Sequence, residues 1–154
     1  MLNNSLAYVV GLNQNSALRA TEGNAAKYLP FIPPLHARSE ARYTTPRPYG
    51  PFHATYVRAT VDINAAQKRF YAVDNTETRT AGYTLLGLGA GTTLRNGQRE
   101  VVQLFVQVDN VLNVAYQSHL NRLKYFEYYS ASPNGRSGIY NQGRNVSVKV
   151  VVPF

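Results

Sequence analysis

Apolar and polar residues alternate with a period of two along several separate segments of this chain. The pattern is clearest at the C-terminal end, where five apolar residues are spaced by two, namely Val146, Val148, Val150, Val152 and Phe154. An extended chain places alternate residues on one face, so these five would share a face, and the opposite face, which carries Lys149, is mostly polar. The pattern predicts a strand with one apolar and one polar side.

The same alternation predicts five more strands. Helical spacing of apolar residues is not sustained over three turns anywhere in the chain. We therefore predict an all-β fold of six antiparallel up-and-down strands at residues 5–12, 35–43, 56–65, 80–94, 100–112 and 146–154.

The connections between these strands alternate in length. Residues 13–32, 73–78 and 117–142 form loops, whereas residues 44–51 are a short Pro/Gly segment and Asn96-Gly97 is typical of a type I′ hairpin. Long loops on one side and short turns on the other are typical of a transmembrane β-barrel. In such a barrel the three loops would be extracellular.

Three glycines share one face of the fourth predicted strand, namely Gly87, Gly89 and Gly91. Glycine weakens a strand, and its repetition favours the close approach of another body to that surface. Simple coiling of the sheet at a bend of a barrel explains the pattern equally well. Both interpretations stay open at the level of sequence.

Composition narrows the function classes. The 154 residues suit one domain, and 16 Lys and Arg against 8 Asp and Glu give a formal net charge of +8. The basic residues are scattered without a block or a basic helix, so we expect no nucleic-acid partner. No cysteine is present, and the three histidines lack ligand spacing, so we expect no metal site and no cofactor.

Motifs of known enzyme classes are missing from the sequence. The run 87–91 (GLGAG) is not a dinucleotide fingerprint, because a strand rather than a helix follows it. No nucleophile elbow, zinc-protease box or phosphate loop is present, and the acidic residues are well spread. We predict that the protein is not an enzyme.

Five segments resemble the C-terminal end of TonB-dependent outer-membrane receptors. Residues 106–116 (VQVDNVLNVAY) resemble the Asn-Leu-Phe-Asp-x-x-Tyr box of that family, with Val111, Leu112 and Asn113 in place of Leu, Phe and Asp. The other four occur in the family's order, and they are residues 29–34 (LPFIPP), 83–91 (YTLLGLGAG), 119–125 (HLNRLKY) and 143–154, which begin Gly-Arg-Asn and end Pro-Phe.

The resemblance implies a fold and a function. The strands would be the last six of a 22-stranded barrel in the cell outer membrane. The function would be energised uptake of a large scarce ligand, such as a metal–siderophore, cobalamin or a glycan. The implied partners are outer-membrane lipid, a plug domain, the energy-transducing TonB protein and the barrel assembly machinery. Residues 1–154 match no plug domain or signal peptide, so we expect a partial, non-autonomous barrel domain, a fragment of a longer receptor.

Three groups of candidate functional residues follow. The terminal stripe of Val146, Val148, Val150, Val152 and Phe154 resembles the family's assembly signal. The lumen-facing polar residues would be Arg38, Glu40, Arg58, Asp62, Gln103, Gln107 and Lys149. The ligand-binding residues of the last extracellular loop would be His119, Arg122, Tyr125, Tyr128 and Tyr129. The plainer interpretations are that the charged face is only solvated and that the loop packs on itself.

An alternative from a different class is a soluble all-β binding module with an aromatic-rich, carbohydrate-directed ligand surface. The two hypotheses differ in what the apolar faces meet. In a soluble module those faces bury against one another, whereas in a barrel wall they stay open for lipid.

Overall fold

The computed structural model describes residues 1–126, 130–131 and 138–153. In this part of the chain six antiparallel strands form one sheet in the order β1-β2-β3-β4-β5-β6, which confirms the predicted all-β, up-and-down fold. β1 and β6 each have a strand partner on one side within the described residues, so the sheet is open there. The strands are β1 (Leu2–Ala7), β2 (His36–Thr44), β3 (Phe52–Asn64), β4 (Tyr83–Asn96), β5 (Arg99–Asp109) and β6 (Asn145–Val151).

Long and short connections alternate, as predicted. We call residues 8–35, 65–82 and 110–144 the first, second and third long connections; residues 45–51 and 97–98 are the short ones. Because antiparallel neighbours alternate in direction, the three long connections leave the same end of the sheet. The long connections contain helix α1 (Ser16–Glu22) and three short 3-10 helices, Gly23–Ala26, Val73–Asn75 and Arg122–Tyr125. In the described ranges no helix is both long and apolar enough to cross a membrane.

Strand register sorts the side chains into two faces. Val57 pairs with Ala90, which pairs with Val106, which pairs with Val148, so the apolar residues of four strands share one face. This apolar face is open: Leu6 is 72% exposed and Val148 is 67% exposed. In the described part of the chain the buried apolar residues are only Ala26 and Val73, both in the long connections. The apolar stripes therefore do not meet in a shared dry interior.

The first strand lies closer to the N-terminus than predicted. The prediction placed it at residues 5–12, but β1 is Leu2–Ala7, because its register runs from Leu2 opposite Ala41 to Ala7 opposite His36. Beyond β1 only an isolated bridge, Leu12 with Tyr28, continues the alternation. The predicted loop 13–32 also contains α1, whose first turn is capped because Asn15 Oδ1 accepts a hydrogen bond from Leu18 N at 3.0 Å.

The other strands also differ from the prediction at their ends: β2 is shifted by one residue, β6 is Asn145–Val151, and β3, β4 and β5 differ as follows. β3 begins at Phe52 rather than residue 56, because a register shift between His53 and Tyr56, with Ala54 at φ 50°, extends the pairing past an irregularity. β4 begins at Tyr83, since Thr80 instead forms an isolated bridge with Gln67. β5 ends at Asp109, three residues before the predicted end.

The hairpin between β4 and β5 is present, but its turn is shifted by one residue. Asn96 pairs with Arg99, so the two turn residues are Gly97 and Gln98. Gly97 has φ 61°, whereas Gln98 is not among the residues with positive φ. A positive φ at the first turn residue alone fits a type II′ turn, so the predicted type I′ turn centred on Asn96-Gly97 was wrong.

Candidate functional site

Charged residues of β2 and β3 form a network on the polar face of the sheet. Arg38 Nη1 lies 3.6 Å from Asp62 Oδ1, and Arg58 Nη1 lies 3.9 Å from Glu40 Oε2. Arg58 also donates a hydrogen bond to Gln107 of β5. Five of the seven residues predicted to share this face are therefore joined by direct polar contacts, as expected for a half-solvated wall.

The glycines of β4 make that network possible. A Cβ on Gly89 would lie 2.8 Å from Arg58 Nε and 3.1 Å from its Cγ. A Cβ on Gly91 would lie 2.6 Å from the Tyr56 ring and 2.8 Å from that of Phe105. Side chains of the neighbouring strands thus occupy the space above the glycines. The groups that approach the glycines belong to this sheet, so the approach of another body stays a prediction, as does coiling of the sheet at a barrel bend.

The two remaining predicted residues lie on the same face but outside the network. Gln103 Nε2 donates to Glu100 Oε2 at 3.2 Å, near the hairpin end of β5. Lys149 lies opposite Phe105 and is exposed. On the polar face, ion pairs and hydrogen bonds therefore connect β2, β3 and β5, whereas the part of the face near β6 is more exposed.

A second group of polar residues joins the three long connections. The Glu77 carboxylate, 1% exposed, accepts hydrogen bonds from Phe31 N at 2.6 Å and from Tyr71 N at 2.9 Å. Phe31 belongs to the first long connection, while Tyr71 and Glu77 belong to the second. The carboxylate therefore joins the first long connection to the second by hydrogen bonds, and its oxygens satisfy two backbone N–H donors.

Lys124 fastens the third long connection to the second. Its ammonium, on a residue 2% exposed, donates to Thr78 O at 3.0 Å, Arg79 O at 3.1 Å and Thr80 Oγ1 at 2.7 Å. Burial lowers the pKa of Lys124 to about 8, while the nearby Glu77 carboxylate acts in the opposite direction. The charge is tolerated there because oxygen acceptors surround it.

His119 lies between the two buried charges. Thr80 Oγ1 accepts from Lys124 Nζ and lies 2.7 Å from His119 Nδ1, within hydrogen-bond distance. His119 Nε2 is 3.7 Å from Glu77 Oε1, beyond hydrogen-bond distance. Burial, with a smaller effect of Lys124, lowers the pKa of His119 to about 4, so the ring is neutral at pH 7. We call Glu77, Thr80, His119 and Lys124 the loop cluster.

The predicted ligand-binding residues of the last loop separate in the structure. His119 is buried in the loop cluster, and the half-buried Tyr125 donates its hydroxyl to His119 O at 3.1 Å. Burial raises the pKa of Tyr125. Arg122 is exposed, and its guanidinium lies 5.1 Å from the centre of the Phe31 ring. Tyr128 and Tyr129 lie outside the described residues. A binding role for these residues stays a prediction.

The segments that carry the family resemblance contact each other at the start of the third long connection. Asn110, at φ 49°, accepts from Val114 N at 2.9 Å and donates to Val114 O at 2.9 Å. Asn113 Oδ1 accepts from Arg144 N at 2.9 Å, and a Cβ on Gly143 would lie 2.7 Å from that oxygen. Asparagine tolerates the left-handed conformation, so Asn110 can close the turn that follows β5. Asn113 then binds the Gly-Arg segment that precedes β6.

The valines of the terminal stripe lie on the apolar face and are exposed, Val146 at 61% and Val152 at 60%. Val152 follows the last residue of β6, and Phe154 lies outside the described residues. An assembly role for this stripe stays a prediction.

Sequence reasoning did not single out Glu77, Thr80 or Lys124. Glu77 and Lys124 stand in segments without periodicity, so strand patterns give no signal for them. The available signal was local: Asn121 caps the 3-10 helix that carries Lys124, its Oδ1 accepting from Leu123 N at 3.1 Å. Within the described ranges no three His, Asp or Glu side chains come together as a metal site would require.

Comparisons with known proteins give one informative result. No protein-family model matches the chain, and no curated protein matches it. Among solved structures, the copper transporter OprC matches with a TM-score of 0.73 and 23% sequence identity, over 99% of this chain and 21% of that protein. The chain therefore has the fold of about a fifth of that transporter. At this identity the likeness concerns the fold.

Proposed function

We propose that this chain forms part of the barrel wall of a TonB-dependent receptor in the outer membrane. The observation that carries the proposal is the division of one sheet into an exposed apolar face and a cross-linked polar face, with all long connections at one end. Lipid requires such an apolar face, and only a closed cylinder satisfies the backbone of such a sheet in a membrane. The rest of the cylinder would come from further strands paired to β1 and β6.

The fold of a transporter supports the same proposal. Almost the whole of this chain matches about a fifth of a copper transporter. The sheet is therefore suited to be one sector of a transport barrel. The parent receptor would take up a large scarce ligand, a metal–siderophore, cobalamin or a glycan. It would use a plug domain and the TonB protein for this, and the barrel assembly machinery would read β6 and Phe154.

In this arrangement the two candidate sites have different tasks. The polar face lines the lumen, and the Arg38–Asp62 and Arg58–Glu40 pairs face the plug. The loop cluster holds the three extracellular connections together, which fixes the mouth through which a ligand passes. Among the predicted binding residues that the structure describes, Arg122 is exposed at that mouth and is the best placed to contact a ligand.

The soluble binding module is not retained. It requires its apolar faces to pack together, and the large apolar residues on β1, β3 and β6 are instead exposed. Burying such faces would be the main driving force of a soluble fold.

Two neighbouring residues of β6 provide the test. Val148 lies on the apolar face and Ser147 on the polar face opposite Gln107. A lysine on the lipid side of a barrel costs about 2–4 kcal/mol near the bilayer centre. In the full-length receptor, Val148→Lys should therefore reduce the fraction of protein inserted into the outer membrane severalfold or more. Ser147→Lys, the matched control, should insert like the wild type.

Insertion is measured in the full-length receptor as protection of the strands from protease in isolated outer membranes. Equal insertion of the two variants would contradict the assignment of the apolar face to lipid. If the isolated wild-type chain were a soluble monomer that melts cooperatively in plain buffer, the barrel proposal itself would be refuted.

A further inference from the structure

A groove crosses the apolar face of the sheet near β1. Its floor is made by two small residues of β2, Ala37 and Ser39, and its walls by Leu6 of β1 and Ile63 of β3. The groove has a volume of about 340 Å³ and opens to the outside of the sheet. Leu6 and Ile63 are 72% and 49% exposed, so the walls stand free on either side of a low floor.

A second hollow of about 390 Å³ lies at the long-connection end of the sheet. Its lining includes Tyr8, Leu35 and Ala65, which are two residues from Leu6, Ala37 and Ile63 in the direction of that end. Ala65 N donates to Leu35 O at 2.9 Å, which extends the β2–β3 ladder to this point. The two hollows therefore follow one another on the same face.

The far side of the second hollow is basic. It is lined by Lys68 and Arg69, which are both exposed. No acidic side chain of the described residues forms an ion pair with either one. The Arg69 guanidinium donates to the Tyr8 hydroxyl, and Arg69 N donates to Gln67 Oε1 at 3.1 Å.

The backbone that carries these two cations is held in place. Gln67 is 6% exposed, its Nε2 donates to Ile32 O at 2.8 Å, and its backbone pairs with that of Thr80. Two adjacent cations thus stand at a fixed position where an apolar groove ends and the loops begin. Such a boundary, with an aromatic hydroxyl beside it, is the depth at which lipid head groups lie.

We propose that this groove binds a lipid with an anionic phosphate head group. One acyl chain lies over Ala37 and Ser39 between Leu6 and Ile63, and the phosphate accepts hydrogen bonds from Lys68 and Arg69. Charge complementarity selects the head group, since Lys68 and Arg69 face it and neither forms an ion pair within the described part of the chain. The groove selects a lipid over free phosphate. The inference goes beyond the proposed function and shares with it only the contact of the apolar face with hydrocarbon.

The test compares two lipids that differ in head group. The full chain, kept in a zwitterionic detergent, is mixed with dioleoyl phosphatidylglycerol or dioleoyl phosphatidylcholine, and the bound lipid is counted by native mass spectrometry. We expect phosphatidylglycerol to be retained in preference, and K68Q/R69Q to reduce that preference on the order of tenfold or more, at about 1 kcal/mol for each cation.

Two matched controls separate charge from position. R19Q/K27Q removes the same charge from the first long connection, outside both hollows, and should leave the preference unchanged. Ala37→Phe fills the floor of the groove and should lower retention of phosphatidylglycerol severalfold, while Ala59→Phe, on the same face outside the groove, should not.

Three results would overturn the proposal. They are equal retention of both lipids by the wild type, equal loss in K68Q/R69Q and R19Q/K27Q, and displacement of the lipid by an equal concentration of inorganic phosphate. None of them involves the Val148 and Ser147 insertion assay, so failure of the lipid site is distinguishable from failure of the barrel assignment.

Discussion

Arg58 crosses the strand next to its own to reach Gln107, and its path lies over Gly89. The side chain covers a backbone that has no Cβ, so one residue links three strands on the polar face. Glycine is intrinsically unfavourable in a strand, but at position 89 a Cβ would collide with the Arg58 side chain, which explains its presence there.

The effect of Gly89→Ala should therefore depend on Arg58. With Arg58 present, the new Cβ displaces it from Gln107, and we expect a loss of about 1–3 kcal/mol in the free energy of unfolding. In the Arg58→Ala background the clash is gone, and the better strand propensity of alanine should make the change neutral or stabilising by up to about 1 kcal/mol.

The measurement is a double-mutant cycle of urea unfolding for the full-length receptor in lipid vesicles, followed by tyrosine fluorescence. An equal effect of Gly89→Ala in both backgrounds would show that Arg58 does not need the space above Gly89.

The sequence was most informative at single positions inside the strands. Alternation placed Arg38, Arg58, Gln107 and Lys149 on one face, because a period of two leaves only two choices for each strand. It did not predict Glu77 or Lys124, because the contacts that join them to other connections or segments reach 44 to 46 residues along the chain. Contacts of that range depend on the folded path of the connections, to which local patterns give no access.

At the scale of elements, the ends of strands were the least predictable feature. Residues 8–12 alternate as a strand would. However, Ala7 pairs with His36, the first residue of β2, so β2 offers residues 8–12 no further pairing partners. The pairing partner, rather than the sequence of the segment, ends β1. The same applies to Thr80, which forms a bridge with Gln67 instead of extending β4.

The β4–β5 hairpin provides a test at this scale. Gly97 is at φ 61°, and Asn96 belongs to the ladder opposite Arg99. We expect Gly97→Ala to reduce the free energy of unfolding by about 1 kcal/mol, since a Cβ is disfavoured in the left-handed region. Asn96→Ala should change it by less than about 0.5 kcal/mol.

Both variants are compared by urea unfolding in the same vesicles as the wild type. Equal losses at the two positions would instead indicate a turn centred on Asn96 and Gly97, as the sequence had predicted.

At the scale of the whole molecule, the loop cluster decides how the long-connection end responds to pH. His119 is neutral when folded, with a pKa of about 4, against an ordinary value of about 6.5. Between these values the unfolded connections bind more protons than the folded ones, so stability is lost as the pH falls from about 6.5 to 4. Lys124, with a folded pKa of about 8, adds stability as the pH rises from 8 toward 10.5 and has no effect on the acidic slope.

Acidification should therefore open the long connections while the sheet stays intact. At pH 5 the penalty at His119 is about 2 kcal/mol, which corresponds to a roughly 30-fold increase in the opening equilibrium. The amides of Phe31 and Tyr71, which donate to Glu77, report it directly by hydrogen exchange at pH 7.5 and 5.0, after correction for the intrinsic rates.

His119→Asn separates this effect from general acid lability. The asparagine amide can hydrogen-bond the Thr80 hydroxyl as donor or acceptor but does not titrate, so the two backbone amides should exchange equally at both pH values apart from the intrinsic rates. The amide of Ala59, within the β3 ladder, should be insensitive to pH in either protein. If the asparagine variant kept the acid response, the proton would be taken up elsewhere, and His119 would be only a packing residue of the mouth.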